Sequence, residues 1–477
     1  MSRPVLQSPR TNAPPPVSSD APRRLGAVVY RAIASLRPAP GNPRAHRPRQ
    51  IQQIAASIET FGFVSPILLD AQDEVIAGHG RLLAAQALGW REVPTLTLTH
   101  LTPAQVQAYR IADNRLTECS TWDDKLLAEQ LALLASVELD FDLSVTGFEL
   151  PEIDLRIQSL ALDAEPEQAV TPDPAQPVIS QAGDLWQLGP HRLLCGNALD
   201  AASYDQLLGD QSVAAVFTDP PYNVPIHGHV MGKGAIQHRE FPMASGEMDR
   251  AGFTRFLETV LVHLRDRTVP GAVSFVCMDW RHLEELTAAF RAAGLEPINL
   301  CVWAKDNAGM GSLYRSQHEL IYVLRTPGEG HYNAVQLGKY GRHRSNVWQY
   351  PGVNSFARRG AEGNVLALHP TVKPTAMVAD ALMDVTRRGE AVLDPFAGSG
   401  TTLMAAERTA RVAYVMELDP AYVDTILRRW ETATGQRAVH AVMQRGLEAV
   451  QAERDRSGPS EGAGTGLETS KMPGAAS

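Results

Sequence analysis

The chain has 477 residues, 44% hydrophobic and 20% charged, enough for two to three domains at the usual ~100–200 residues each and too many for one small module. Its 44 basic against 53 acidic residues leave a net charge of −9, which excludes a polycation that coats nucleic acid and confines any nucleic-acid surface to a local patch. No apolar run approaches the ~18 residues of a membrane span, and Cys119, Cys195, Cys277 and Cys301 are spaced too widely for a metal clip or a disulfide framework. The expectation is a cytoplasmic protein without membrane contact, bound metal or disulfides; the Pro- and Ser-rich start, Met1 to Pro22, lacks the apolar block of a signal peptide.

In chain order, residues 1–26 read as a disordered tail, too poor in hydrophobic periodicity to offset ordering entropy. Arg37, Arg44, Arg47 and Arg49 form an acid-free stretch, either a nucleic-acid patch or a solvated loop. Ile51, Ile54, Ala55 and Ile58 fall at helical spacing and Gly62 closes the helix. Pro66 to Asp70 and Glu74 to Ala77 read as strands, and Gly78-His79-Gly80-Arg81 turns into a helix stopped by Gly89. That turn is either a phosphate-friendly helix start or a purely structural left-handed turn. Residues 27–118 thus make a small α+β unit, and 119–162 a helical extension in which Leu126, Leu127, Leu131 and Leu134 share a face. Residues 163–177, rich in proline and acids, read as an extended linker.

Residues 178–450 alternate short β-branched runs with amphipathic helices. Val213 to Thr218, Val273 to Met278, Leu300 to Lys305, Leu320 to Leu324, Ala391 to Leu393 and Val412 to Met416 are the strands, and the alternation predicts a parallel-rich, doubly wound sheet. Residues 451–477 read as a second disordered tail.

Two loops carry chemistry. Asp394-Pro395-Phe396-Ala397-Gly398-Ser399-Gly400-Thr401-Thr402 lies between a strand and a helix, where glycines let a ligand approach the backbone. Glu417 ends the next strand, about where a carboxylate meets ribose hydroxyls. The second loop, Asp219-Pro220-Pro221-Tyr222, ends an apolar strand; its prolines cannot continue a ladder and stiffen the backbone. A carboxylate, the Pro220 carbonyl and an aromatic face suit a flat base with an exocyclic amine. A third segment, His331 to Gly360, is acid-free and holds Lys339, Arg342, Arg344, Arg358 and Arg359 among Tyr332, Tyr340, Trp348 and Tyr350.

These loops, with His369-Pro-Thr-Val-Lys-Pro374 between them, resemble the motifs of S-adenosylmethionine-dependent DNA amino-methyltransferases of the permuted order, over residues 180 to 435. The resemblance implies that Asp219, Pro220, Pro221 and Tyr222 are catalytic. It also implies that Asp394, Pro395, Phe396, Gly398, Ser399, Gly400 and Thr401 line the cofactor, Glu417 takes its ribose, His369, Thr371 and Lys373 close over its methionine carboxylate, and Asn197 sits beside its adenine. Asp at the head of the catalytic loop, where cytosine-N4 enzymes more often carry Ser, favours adenine N6. By position, residues 331–360 resemble a target-recognition region with the five basic residues on DNA. Upstream, Asn42-Pro43-Arg44, Pro66-Ile67-Leu68 and Ile76 to Arg81 resemble the ParB/sulfiredoxin-like domain, whose partition proteins carry Gly-Glu-Arg-Arg where this chain has Gly78-His79-Gly80-Arg81.

The expected fold class is therefore α/β: a doubly wound Rossmann-like methyltransferase sheet preceded by a small α+β ParB-like domain with a helical extension. The expected function is site-specific methylation of adenine N6 in double-stranded DNA. Cytosine-N4 methylation is the alternative within enzymes, and a ParB-like binding module with a degenerate methyltransferase fold the alternative outside them. A homodimer and a restriction partner are left open.

Overall fold

The computed structural model describes residues 26–137, 139–161, 172, 176–224, 244, 246–306, 308, 313–338, 343–351 and 372–457. Residues 1–25 of the expected tail 1–26, almost all of the expected linker, His369, Thr371, Lys339, Arg342, Arg358 and Arg359 lie outside the described residues. Two compact units divide at Glu149/Leu150.

In the first unit, strands β1 (Val29–Ala32), β2 (Ile67–Leu69), β3 (Val75–Ala77) and β4 (Glu92–Thr97) form a sheet in the order β1-β4-β2-β3. β2 and β4 run parallel, and the other neighbours antiparallel. Helix α1 (Pro48–Phe61) starts on a proline whose missing N–H costs nothing there and ends on Gly62 at φ 79°. After it come α2 (His79–Ala87), α3 (Pro103–Glu118) and α4 (Asp124–Ala135). A capping box between Thr102 and Gln105 fixes the start of α3. Ile67, Leu69, Val75, Leu82 and Val93 form the core. The basic stretch is largely clamped: Arg44 pairs with Glu118 at 3.0 Å and Arg49 with Glu149, so much of its charge is spent inside this unit.

The second unit opens with α5 (Leu150–Ala161). Its core is a mixed sheet, ordered β11-β9-β10-β8-β7-β12-β13-β6-β5-β14. The strands are β5 (Leu185–Leu188), β6 (His191–Cys195), β7 (Val213–Thr218), β8 (Thr268–Met278), β9 (Glu296–Ala304), β10 (His318–Arg325), β11 (Val347–Gln349), β12 (Ala391–Asp394), β13 (Val412–Glu417) and β14 (Val439–His440). The central strands β8, β7, β12, β13 and β6 are parallel, as expected; β10 and the β5/β14 edge are antiparallel to their neighbours. Helices α6 (Ala201–Leu208), α7 (Arg250–Arg267) and α8 (Leu283–Ala292) cover one face, and α9 (Thr375–Val385), α10 (Thr401–Thr409) and α11 (Pro420–Thr434) the other. The chain ends in α12 (Leu447–Ser457).

Three expectations change. The helical extension is not one element: α5 belongs to the second unit, where Asp154 forms ion pairs with Arg411 and Arg388, both at 2.8 Å. The compact unit that holds the expected 178–450 domain thus begins at Leu150. The tail expected from residue 451 is helical through Ser457, and Arg454 ties that helix to Asp184 at 2.8 Å. Among the described residues, no helix is long and apolar enough to cross a membrane.

Candidate active site at the carboxyl edge of the sheet

Strand order reverses between β7 and β12: from β7 the chain proceeds to β8 on one side, while β12 lies on the other. In open α/β sheets, ligands bind outside the carboxyl ends of strands at such a point. Here Asp219 follows β7, Asp394 ends β12, Glu417 ends β13 and Asn197 follows β6. The parallel pairing thus gathers all four onto one edge. Asp394 stitches the two halves together: Oδ1 accepts from the Thr218 hydroxyl at 3.0 Å and the Phe396 N–H at 3.1 Å, and Oδ2 from the Thr402 hydroxyl at 2.6 Å. Burial pushes its carboxyl up to about 6 against those donors. Asp394 thereby braces the two loops against each other.

The glycine loop forms a cradle. Gly398 takes φ 52°, and a Cβ there would enter open space. Gly400 takes φ 83°, where a Cβ would press on Ile426 at 3.0 Å. The Gly398 N–H donates to Glu417 Oε2 at 2.8 Å and the Asp419 N–H to Oε1 at 2.9 Å. Burial nevertheless pushes the Glu417 carboxyl up to about 7. The Gly196 N–H donates to the Glu417 carbonyl at 2.9 Å, which brings Asn197 alongside; the Asn197 side-chain oxygen accepts from the Leu199 N–H at 3.0 Å. Ser399 and Thr401 are buried at the start of α10, with the Ser399 carbonyl held by Arg429 at 2.6 Å. Phe396 packs toward Phe256, ring centroids 6.0 Å apart. Pro395 continues β12 into this turn.

Across the reversal, Pro220 is buried and Pro221 half-buried. The Tyr222 hydroxyl donates to Asp219 Oδ1 at 2.5 Å. Lys373 donates to Asp219 Oδ2 and lies 3.0 Å from Glu319 Oε2, while Lys305 grips the other Glu319 oxygen. Burial raises the Asp219 carboxyl above its ordinary range, opposed chiefly by the Lys373 ammonium. Burial pushes the Tyr222 phenol up as well, so it stays protonated and donates. Glu319, Lys305 and Trp303, whose ring faces Lys305 at 4.5 Å, were not read from the sequence. Their only signal is charge and an aromatic at the ends of apolar runs.

Arg344, expected on DNA, has these partners within the second unit. Its guanidinium pairs with Asp380 at 3.2 Å and Asp384 at 3.0 Å, bonds the Tyr350 hydroxyl at 2.6 Å and faces the Trp348 ring at 5.1 Å. These contacts tie the segment before β11 to α9. In the first unit, Gly78 takes φ 101° at the start of α2, and Arg81 reaches the Pro66 carbonyl at 3.4 Å. Gly80 packs close to His46, and burial lowers the His79 imidazole. Among the described residues, no group of three or more His, Cys, Asp or Glu could hold a metal ion.

Residues 213–428 match the N6/N4 family of DNA methylases, residues 21–114 the ParB N-terminal domain and residues 125–182 the ParB-methyltransferase HTH domain. The ParB-like nuclease domain-containing protein YnaK of Escherichia coli (strain K12) is 42% identical over 80 residues, 17% of this chain and 92% of that protein. Type II methyltransferase M2.MboI of Moraxella bovis is 23% identical over 250 residues, 50% of this chain and 87% of that protein. The crystal structure of the M1.HpyAVI–SAM complex shares 18% identity, covering 50% of this chain and 98% of that one, with a TM-score of 0.34. The chain therefore carries an S-adenosylmethionine-dependent DNA methylase domain of the N6/N4 type over residues 213–428, with ParB N-terminal and ParB-methyltransferase HTH domains ahead of it.

Proposed function

We propose that the chain methylates N6 of an adenine flipped out of double-stranded DNA. The observation that carries this reading is the Asp219 carboxylate, fixed by Tyr222 and Lys373 at the reversal point beside the glycine cradle. Asp at the head of the loop favours adenine over cytosine N4, the second reading, for which the more frequent residue is Ser.

The residues present fit the cofactor: the open space at Gly398 admits it close to the backbone, and the Glu417 carboxylate keeps lone pairs for ribose hydroxyls. When bound, S-adenosylmethionine supplies an electrophilic methyl on a sulfonium. The lone pair of an exocyclic amine is delocalised into its ring and nucleophilically poor. Accepted N–H bonds at Asp219 and the Pro220 carbonyl localise that pair and aim it in line with the methyl. With the S–CH3 bond broken and the sulfonium leaving as a neutral thioether, the methylated amine would shed one proton, for which Asp219, raised by burial, is the acceptor. Flipping costs a few kcal/mol of unstacking, part of which Tyr222 offsets by stacking on the base. Sequencing host DNA for modified bases after expression tests the reading: N6-methyladenine at a recurring sequence is expected, and N4-methylcytosine alone would establish the second reading.

Gly398→Val is a direct probe of the cradle. The branched side chain is strained at φ 52°, by ~1–3 kcal/mol, and projects where the ligand must lie. The dissociation constant for S-adenosylmethionine should rise about 100-fold or more, since each 1.4 kcal/mol is tenfold. Calorimetric titration of the folded variant checks this.

A further inference from the structure

The charged centre behind the catalytic loop extends beyond the motif itself. Asp219, Lys373, Glu319 and Lys305 alternate in sign as a continuous chain, contributed by the loop after β7, the segment before α9, strand β10 and the end of β9. Lys373 is 4% exposed, and its ammonium lies between two carboxylates, 5.8 Å from the Tyr222 ring centroid and 6.0 Å from that of Trp303. The motif resemblance implies a cofactor-carboxylate role for Lys373; the structure places its ammonium against Asp219 and Glu319.

We propose that Lys373 and Glu319 are positioning residues for methyl transfer: Glu319, anchored by Lys305, holds the Lys373 ammonium against Oδ2 of Asp219, so that Asp219 presents a fixed, ionised carboxylate to the amine. The inference rests on the assignment of Asp219 as the amine's acceptor. Two physical points support it. A single carboxylate would satisfy a structural lysine, whereas here the ammonium is centred between two and cannot swing away from either without loss. The four charges also sum to zero, so the site carries a carboxylate at the reacting edge without a net buried charge.

The electrostatics agree. Burial raises Asp219; Lys373 opposes that rise and Glu319 adds to it. The two lysines hold Glu319 down to about 2, against burial, so it remains an anion throughout the working range. The other groups facing Asp219 are the Tyr222 phenol and, at longer range, Cys277 and Asp394; burial keeps the Cys277 thiol neutral. Asp219 functions ionised, so activity falls as pH drops through its pKa. Removing Lys373 should therefore move that loss to higher pH, and removing the Glu319 charge should move it to lower pH.

The test measures single-turnover methyl transfer against pH with full-length protein, duplex DNA and saturating S-adenosylmethionine, together with cofactor affinity. Lys373→Met should slow transfer by about 100-fold, the scale of a small misplacement of a reacting group. Its acid limb should shift upward while affinity for S-adenosylmethionine is unchanged. Lys373→Arg, which keeps the charge, should hold the limb at its wild-type position, and Glu319→Gln should move it downward. An unmoved acid limb in folded Lys373→Met, or a loss of cofactor affinity in its place, overturns the proposal. Should Lys373→Met not fold, Glu319→Gln decides: a downward limb supports the proposal and an unmoved one overturns it. Asp219→Ala separates the two readings, because full turnover by that variant removes the acceptor assignment itself. An inactive Asp219→Ala with an unmoved limb in Lys373→Met removes only the positioning role.

Discussion

Asp219→Ala should lower the rate of methyl transfer by roughly 10³-fold, the scale of losing one preorganised transition-state partner together with its proton acceptor. Affinity for S-adenosylmethionine should stay close to wild type, because the cradle is built from β12, β13 and the loop between them. Folding should survive. The variant leaves Lys373 with Glu319 at 3.0 Å, so no buried ammonium is orphaned. The check pairs a radiolabelled-methyl assay on DNA with calorimetric titration of the cofactor. Loss of both would mean that Asp219 shapes the pocket and does not act on the base.

Asp154→Ala should have the largest effect on stability. Arg411 is fully buried, and among the described residues its guanidinium meets, besides Asp154, only neutral oxygens, those of Thr386 and Thr409. Deleting the carboxylate leaves an uncompensated buried charge, at a cost of ~3–5 kcal/mol. At ~2–4 °C per kcal/mol for a domain of this size, the melting temperature should drop by roughly 10 °C. A chain starting at Val178 loses the whole of α5, including Asp154 and the fully buried Ile153, and should melt lower still or fail to fold. One starting at Leu150 keeps both. Thermal unfolding followed by circular dichroism distinguishes the cases, and equal melting temperatures for Asp154→Ala and wild type would show that Arg411 is satisfied without α5.

How much of this was legible in the sequence depends on the range of each interaction. The Asp219 and Asp394 loops could be read because each is local: a β-branched run, then a residue type that cannot continue a strand, then a helical period. Strands β7, β12 and β13 follow that rule and lie as expected. β1 did not announce itself, since Val29 and Tyr30 are exposed and leave no alternation to detect. The β5–β6 hairpin is too short to stand out from its loops. The contacts that the sequence did not reveal are all long-range. Arg344 in a basic, aromatic stretch looks like a phosphate contact, yet its partners are 36 and 40 residues downstream on α9. Asp154 meets Arg411 across 257 residues. Lys373 and Glu319 reach Asp219 only because a distant hairpin and the approach to α9 converge on one strand end. Side-chain chemistry was visible at each of these positions; its partner was not.

The central claim is that an amine held by Asp219 receives the methyl, and that the amine is adenine N6. Mass spectrometry of nucleosides from duplex DNA treated with the enzyme and isotopically methyl-labelled S-adenosylmethionine tests it most directly. The account predicts the label in N6-methyladenine with wild-type protein and its disappearance with Asp219→Ala. Label confined to N4-methylcytosine, or label in N6-methyladenine that persists undiminished in Asp219→Ala, would contradict it.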